Sequence, residues 1–150
     1  PWFMSLGGFG EILPYAHNTM RLHKRKKDRF GIPQVTFRFE FGENERRHRH
    51  DLVEQAVAML EAAGATTIEQ YSAPMIGGAA IHEMGTARMG HDPNTAVLNA
   101  FNQAHAAANL FVTDGACMTS ASCVNPSLTY MALTARAVDY AVEQLRAGAI

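Results

Sequence analysis

The side chain of this sequence best suited to moving a proton is His82. It lies inside Gly77-Gly78-Ala79-Ala80-Ile81-His82-Glu83-Met84-Gly85-Thr86-Ala87-Arg88-Met89-Gly90. Glycines on both sides let the backbone approach a ligand closely, and an imidazole exchanges a proton near neutral pH, so His82 is a candidate general base. The same residue also fits a structural role, as a histidine whose ring nitrogens are satisfied within the fold. His82-Glu83 does not open an HExxH zinc motif, because Thr86 stands where the second histidine is needed. His91 follows nine positions on without a further ligand set, and His48 and His50 point to different sides of a helix, so no metal site is expected. No G-x-S-x-G elbow presents a serine nucleophile. Cys117 and Cys123 are too few for a disulfide framework or a closed zinc site; they read as small buried apolar residues or as a redox pair.

A second constellation surrounds Cys123-Val124-Asn125-Pro126-Ser127. Asn125 is a good helix N-cap and Pro126 suits the first helical position, so the spacing predicts a helix start here. From there Leu128, Met131, Ala132, Ala135, Val138, Val142 and Leu145 recur at helical spacing and Gly148 is a stop, which predicts a buried helix with one exposed edge carrying Arg136, Asp139, Glu143 and Arg146. Upstream, Asn109-Leu110-Phe111-Val112-Thr113-Asp114-Gly115 reads as an apolar strand that breaks at Asp-Gly. A strand's carboxyl end and a helix's positive amino end thus lie close in sequence, the arrangement that binds anions and cofactors in open α/β sheets. From these residues alone, an ordinary strand, loop and helix without a ligand is the favoured reading.

These elements need a scaffold, and the chain supplies enough for one core. It has 150 residues, 47% of them hydrophobic and 18% charged, with a formal net charge of −1. Residues 1–16 are aromatic and glycine-rich, and Gly8-Phe9-Gly10 lacks the third glycine and the preceding strand of a dinucleotide fingerprint. Strands over 19–23 and 34–41 are predicted, the second alternating Val35, Phe37, Phe39 and Phe41 against Thr36, Arg38 and Glu40, so one face of the hairpin should be buried. The basic run from Arg21 to Arg29 between them lacks interleaved aromatic residues, so it reads as a solvated hairpin end rather than a nucleic-acid patch. Asn44 should cap a helix through Ala63, with Leu52, Val53, Ala56, Val57 and Leu60 as its apolar stripe and Gly64 as its stop. Residues 66–71 form a further strand candidate. No apolar run reaches the roughly 18 residues of a membrane span. The order of elements is that of an α+β body with something missing, and the start at Pro1-Trp2-Phe3 fits a processed product, a domain or a fragment.

Taken together, His82 to Gly90, Asp92-Pro93, Val97, Asn109 to Gly115, Asn125 to Thr129 and Ala132 to Ala137 resemble the carboxy-terminal part of the glucose-methanol-choline (GMC) oxidoreductases, FAD-dependent alcohol and sugar oxidases and dehydrogenases. The likeness is strongest from His82 to Leu145 and weaker over 11–45. It implies that residues 1–81 are mostly a substrate-domain segment, and that 82–150 are the active-site loop, closing strand and final helix of an FAD-binding domain. It implies further that His82 and Asn125 are the catalytic pair, with His82 taking the hydroxyl proton while hydride passes to the flavin. Asp114 and Gly115 would form the flavin-contacting turn, and Asn125, Pro126 and Ser127 would face the pyrimidine edge. The amino-terminal glycine fingerprint of the family has no counterpart here, so the expected partner is the amino-terminal FAD-binding portion of the same enzyme, and this chain alone is expected to be inactive. The run through Met118-Thr119-Ser120, Cys123, Asn125-Pro126 and Thr129 to Leu133 resembles bacterial sugar dehydrogenases of this family, which implies a sugar, glycoside or polyol substrate and an electron-carrier protein as acceptor. A non-catalytic ligand- or partner-binding module, an oxidase using oxygen, and a lyase or elimination reaction on the same scaffold are the alternatives.

Overall fold

The computed structural model of the chain describes residues 2–71 and 74–150, and shows an α+β arrangement of two long helices and two small antiparallel sheets. Residues 2–18 are irregular. They lead into β1 (Thr19–Lys27), which pairs with β2 (Pro33–Arg38) in the register Thr19↔Arg38 to Leu22↔Val35. Beyond Leu22 the register slips before resuming at Lys27↔Pro33. The imidazole Nδ1 of His23 accepts from the N–H groups of Arg25 (3.1 Å) and Lys26 (2.8 Å), which draws these two residues out of the ladder into a bulge. Asp28 closes the turn by accepting from the N–H groups of Phe30 and Ile32, with Gly31 at φ 82°. The basic end of the hairpin is exposed throughout, as its composition predicts.

The expected burial of one hairpin face does not occur. Strand β2 ends at Arg38, short of Phe39 and Phe41, and Val35 and Phe37 remain exposed. No second layer of the described residues packs on this two-stranded sheet, so period-2 alternation has nothing to bury against. Phe39 and Phe41 instead meet edge to face at 4.9 Å, and a Cβ on Gly77 would lie 2.5 Å from the Phe39 ring, so the glycine-rich stretch ahead of His82 passes directly over it.

Helix α1 (Glu43–Ala62) corrects the predicted cap. Its N-cap is Gly42, not Asn44, and the Glu45 carboxylate reaches back to accept from the Gly42 N–H at 2.8 Å. A side chain on Gly42 would collide with the Tyr15 hydroxyl. Leu52, Val53, Ala56, Val57 and Leu60 do form its half-buried face. The helix ends at Gly64, whose φ of 87° lets Ala65 donate to the Leu60 carbonyl at 3.0 Å. Gly8 and Gly10 lie against Leu52 and His48, so these glycines serve close packing of an irregular segment on the helix. Residues 66–71 carry no strand, because no partner edge lies beside them among the described residues.

The core sits in the carboxy-terminal part. Leu98, Ala104 and Cys117 are buried, with Ala87, Met89, Ala107, Val112, Met118 and Leu133 packed around them. Strands β3 (Gln103–Ala104) and β4 (Ala107–Phe111) form the second hairpin, and β4 begins and ends earlier than the predicted strand. After it Asp114 opens a short 3-10 turn, Gly115–Cys117.

Helix α2 (Ser127–Arg146) overturns the expectation of a buried helix. Its inner face is Tyr130, Leu133, Ala137 and Tyr140, of which only Ala137 is buried, and Tyr140 stacks on Phe101 at 4.2 Å. The predicted apolar stripe points the other way: Leu128, Met131 and Leu145 are each about two-thirds or more exposed. The helix is apolar on two faces, and the described residues cover one of them. Gly148, at φ 69°, follows its end as expected.

Candidate active site

The segment carrying His82 is fastened to the turn after β4 by a short backbone ladder. Gly85 donates to Gly115 at 3.3 Å, Ala87 to Ala116 at 2.9 Å and Met89 to Cys117 at 2.9 Å. Gly85 adopts φ 84°, and a Cβ there would press on the Thr119 carbonyl at 3.2 Å. His82 itself lies three residues before this anchored stretch and is half-buried. The backbone immediately ahead is left-handed at Ile81 (φ 59°), a strained conformation for a β-branched residue.

Gly115 is the point where three elements converge. A Cβ at this position would lie 2.6 Å from the Glu83 carbonyl oxygen and 2.9 Å from the Tyr130 hydroxyl, so only a glycine lets the turn, the His82 segment and α2 close together. The Tyr130 hydroxyl donates to the Met84 sulfur at 3.5 Å, tying α2 to the residue two past His82. Burial foremost, and then the nearby Asp114, Cys117 and Glu83, push the Tyr130 hydroxyl above its ordinary pKa, so it stays a proton donor. Asp114 is exposed, and one of its oxygens accepts from the Ala116 N–H at 2.9 Å, which shapes the turn.

Asn125 does not cap α2. Pro126 occupies the N-cap position, and among the described residues no side chain caps the first-turn N–H groups. Asn125 and Ser127 are exposed, Pro126 is buried, and the whole Asn125 carboxamide is free of a capping role. The amino end of α2 therefore presents unshared N–H donors and a partial positive charge to whatever lies beyond it. The structure thus brings the His82 segment, Gly115 and α2 to one junction. No hydrogen bond joins His82 to Asn125 among the described residues. Two surface clefts, of about 220 and 240 Å³, are lined by His17, Arg21 and Arg38 and by Thr86, Arg88 and Val97 respectively; neither contains His82 or Asn125. The candidate site is an open edge of this chain.

Cys117 is buried and Cys123 exposed, and both are free thiols. Burial foremost pushes the Cys117 thiol up, which suits a packing residue.

Two residues that organise the structure escaped the sequence reading. Asn102 is fully buried at φ 63°, and Arg136, expected on a solvated edge, donates to its Oδ1 at 3.2 Å. Glu45 is 5% exposed and accepts from the Leu13 N–H, the Gly42 N–H and the Tyr15 hydroxyl. An asparagine in the loop Asn99-Ala100-Phe101-Asn102 is a left-handed-turn signal, and Glu45 three residues past Gly42 is a capping signal; both were present to be read.

A family model described as GMC oxidoreductase matches residues 14–134. The chain belongs to the GMC oxidoreductase family. It is 34% identical over 140 residues to the fructose dehydrogenase large subunit of Gluconobacter japonicus, a match covering 92% of this chain and 25% of that protein. It is 35% identical over 134 residues to 2-methyl-1,2-propanediol dehydrogenase of Mycolicibacterium austroafricanum (88% of this chain, 24% of that protein). With paromamine 6'-oxidase of Streptomyces fradiae it shares 31% identity over 119 residues (79% and 22%). The chain thus spans about a quarter of the length of the curated relatives it matches.

Proposed function

We propose that this chain is the carboxy-terminal part of an FAD-dependent enzyme that oxidises a CH–OH group of a sugar, glycoside or polyol. The observation that carries the reading is the junction at Gly115, which holds the His82 segment, the Asp114 turn and the uncapped end of α2 against one another. FAD fits these residues. The free first-turn N–H groups of α2, with exposed Asn125 and Ser127, are donors matched to the oxygen-bearing, electron-accepting edge of a flavin. Pro126 beside them lacks an N–H and holds the entry to the helix. The exposed Asp114 and the close-packed Gly115 form the adjoining turn.

When bound, FAD supplies the hydride acceptor. His82 takes the hydroxyl proton on a ring nitrogen, a contribution typically worth ~10²–10⁴ in rate. Asn125, released from capping, donates its amide N–H₂ to the substrate oxygen and orients the CH–OH group. The positive end of α2 stabilises negative charge arriving at its amino terminus without reorganising. The names of two relatives as dehydrogenases of a sugar and of a diol support the substrate class and an acceptor other than oxygen, such as an electron-carrier protein. The remainder of the enzyme, with its amino-terminal FAD-binding portion, is the required partner.

The test is an anaerobic visible spectrum of the full-length protein, before and after adding a panel of sugars and polyols. Bleaching of a flavin band by one of them, abolished in His82→Ala with the flavin retained, is the expected result. A full-length protein that takes up no flavin overturns the reading, and peroxide released in step with substrate use overturns the carrier as acceptor.

A further inference from the structure

We propose that Asn102 is a positioning residue that clamps the Asp114–Gly115 turn against α2, setting the geometry of the FAD edge; the inference rests on the FAD reading above. Asn102 is fully buried and every one of its polar groups is engaged. Its backbone N–H donates to the Asn99 carbonyl at 3.2 Å and its carbonyl accepts from the Val112 N–H at 3.0 Å. The side-chain Nδ2 donates to the Val112 carbonyl at 2.9 Å, and Oδ1 accepts from Arg136 Nη2 at 3.2 Å.

Val112 and Cys117 are the two ends of the segment that carries Asp114 and Gly115. One carboxamide therefore grips the start of this segment through Val112, while its oxygen is fastened to α2 through Arg136, on the helix that begins at Ser127. The left-handed backbone at φ 63° aims the side chain inward, a conformation that asparagine and glycine tolerate and that most residues resist. An apolar substitute would leave the Val112 carbonyl and the Arg136 guanidinium without this partner, and the turn would be free to shift relative to the helix. A ligand that needs both in place then binds only the fraction of molecules holding the right spacing.

The decisive variant is Asn102→Gly in the full-length protein. It keeps the left-handed backbone and deletes only the side-chain clamp, so it separates positioning from turn formation. Asn102→Asp keeps the bond to Arg136 and loses the donor to Val112. Arg136→Ala, at an exposed position that leaves no buried cavity, cuts the other end and covers the case in which Asn102→Gly does not fold. Glu45→Gln serves as a control for general loss of stability, since Glu45 lies outside the site.

With FAD itself as the probe, at a temperature well below melting, the dissociation constant should rise about tenfold or more in Asn102→Gly. Smaller rises are expected in Asn102→Asp and Arg136→Ala, and none in Glu45→Gln. Unchanged FAD affinity in the folded Asn102 and Arg136 variants, beside an unmodified protein that binds FAD, overturns the positioning role alone. An equal rise in Glu45→Gln also overturns it, because loss of stability then suffices. Failure of the unmodified protein to bind FAD overturns both the positioning role and the FAD reading.

Discussion

Glu45 and Asn102 hold comparable places in the amino-terminal and carboxy-terminal regions of this chain. Each is almost wholly buried, and each gathers irregular backbone around one side chain. Glu45 joins the 13–15 segment to the start of α1; Asn102 joins the β3–β4 hairpin, the Asp114 turn and α2. Their chemistry differs. Burial works to raise the Glu45 pKa, but the donors from Leu13, Tyr15 and Gly42 outweigh it, and the carboxyl ends below its ordinary value. Asn102 has no titrating proton in this range. The amino-terminal region is thus organised around a charge that acid can remove, and the carboxy-terminal region around a neutral amide held between the Val112 carbonyl and Arg136.

The largest effect separates chemistry from scaffold within the carboxy-terminal region. His82→Ala in the full-length protein should lower turnover by about 10²–10⁴ while leaving the melting temperature unchanged, because His82 donates to and accepts from no described partner; steady-state rates and calorimetry check both halves. Next comes Gly115→Ala. The added methyl meets the Glu83 carbonyl and the Tyr130 hydroxyl, and overpacking of this kind costs about 1–3 kcal/mol. Here stability and FAD affinity should fall together, measurable by thermal unfolding and flavin titration.

Glu45→Ala removes the acceptor from two N–H groups and one hydroxyl and should cost about 1–3 kcal/mol, read as lost hydrogen-exchange protection over 13–15 and the first turn of α1. The pH dependence follows from the sign of the shift. With the folded pKa below the unfolded value of about 4.3, the carboxylate's contribution is fully present above that value. It is lost as pH falls through the lower folded value. Acid should therefore release the α1 start in the unmodified protein, and this step should vanish in Glu45→Ala; an identical acid profile in both would break the comparison. Smallest is the pair Gly64→Ala and Gly148→Ala. Each forces a methyl into the left-handed region at a helix end, at a cost of about 1 kcal/mol, and denaturant unfolding should show similar losses in the two regions.

The elements easiest to read from sequence were those specified by their own residues. Two long helices were legible from spacing, and both stop at the glycines that the sequence marks, since a left-handed C-terminal residue is a local requirement. The break at Asp114-Gly115 was legible too, because Asp114 caps the following turn by itself. Both helix starts were misassigned. Asn44 and Asn125 are good caps in isolation, but the carboxylate of Glu45 wins at α1 through Tyr15 and Leu13, some thirty residues away, and the chain enters α2 through Pro126. The hairpin strands were visible in their alternation, whereas the burial this implied was not realised, because alternation marks a face without supplying its cover.

The sequence by itself determined what local chemistry can encode: the two long helices and their stops, the hairpin strands, the break at Asp114-Gly115 and the family to which these motifs belong. Only the tertiary structure decided which side of α2 meets the core, since a helix apolar on two faces carries two competing stripes and contact with Leu98, Cys117 and Phe101 selects the one through Tyr130, Leu133, Ala137 and Tyr140. It alone decided that Gly115 is the meeting point of three segments and that Asn102 and Glu45 are buried. Those facts depend on distances between residues far apart in the chain, which no local pattern contains.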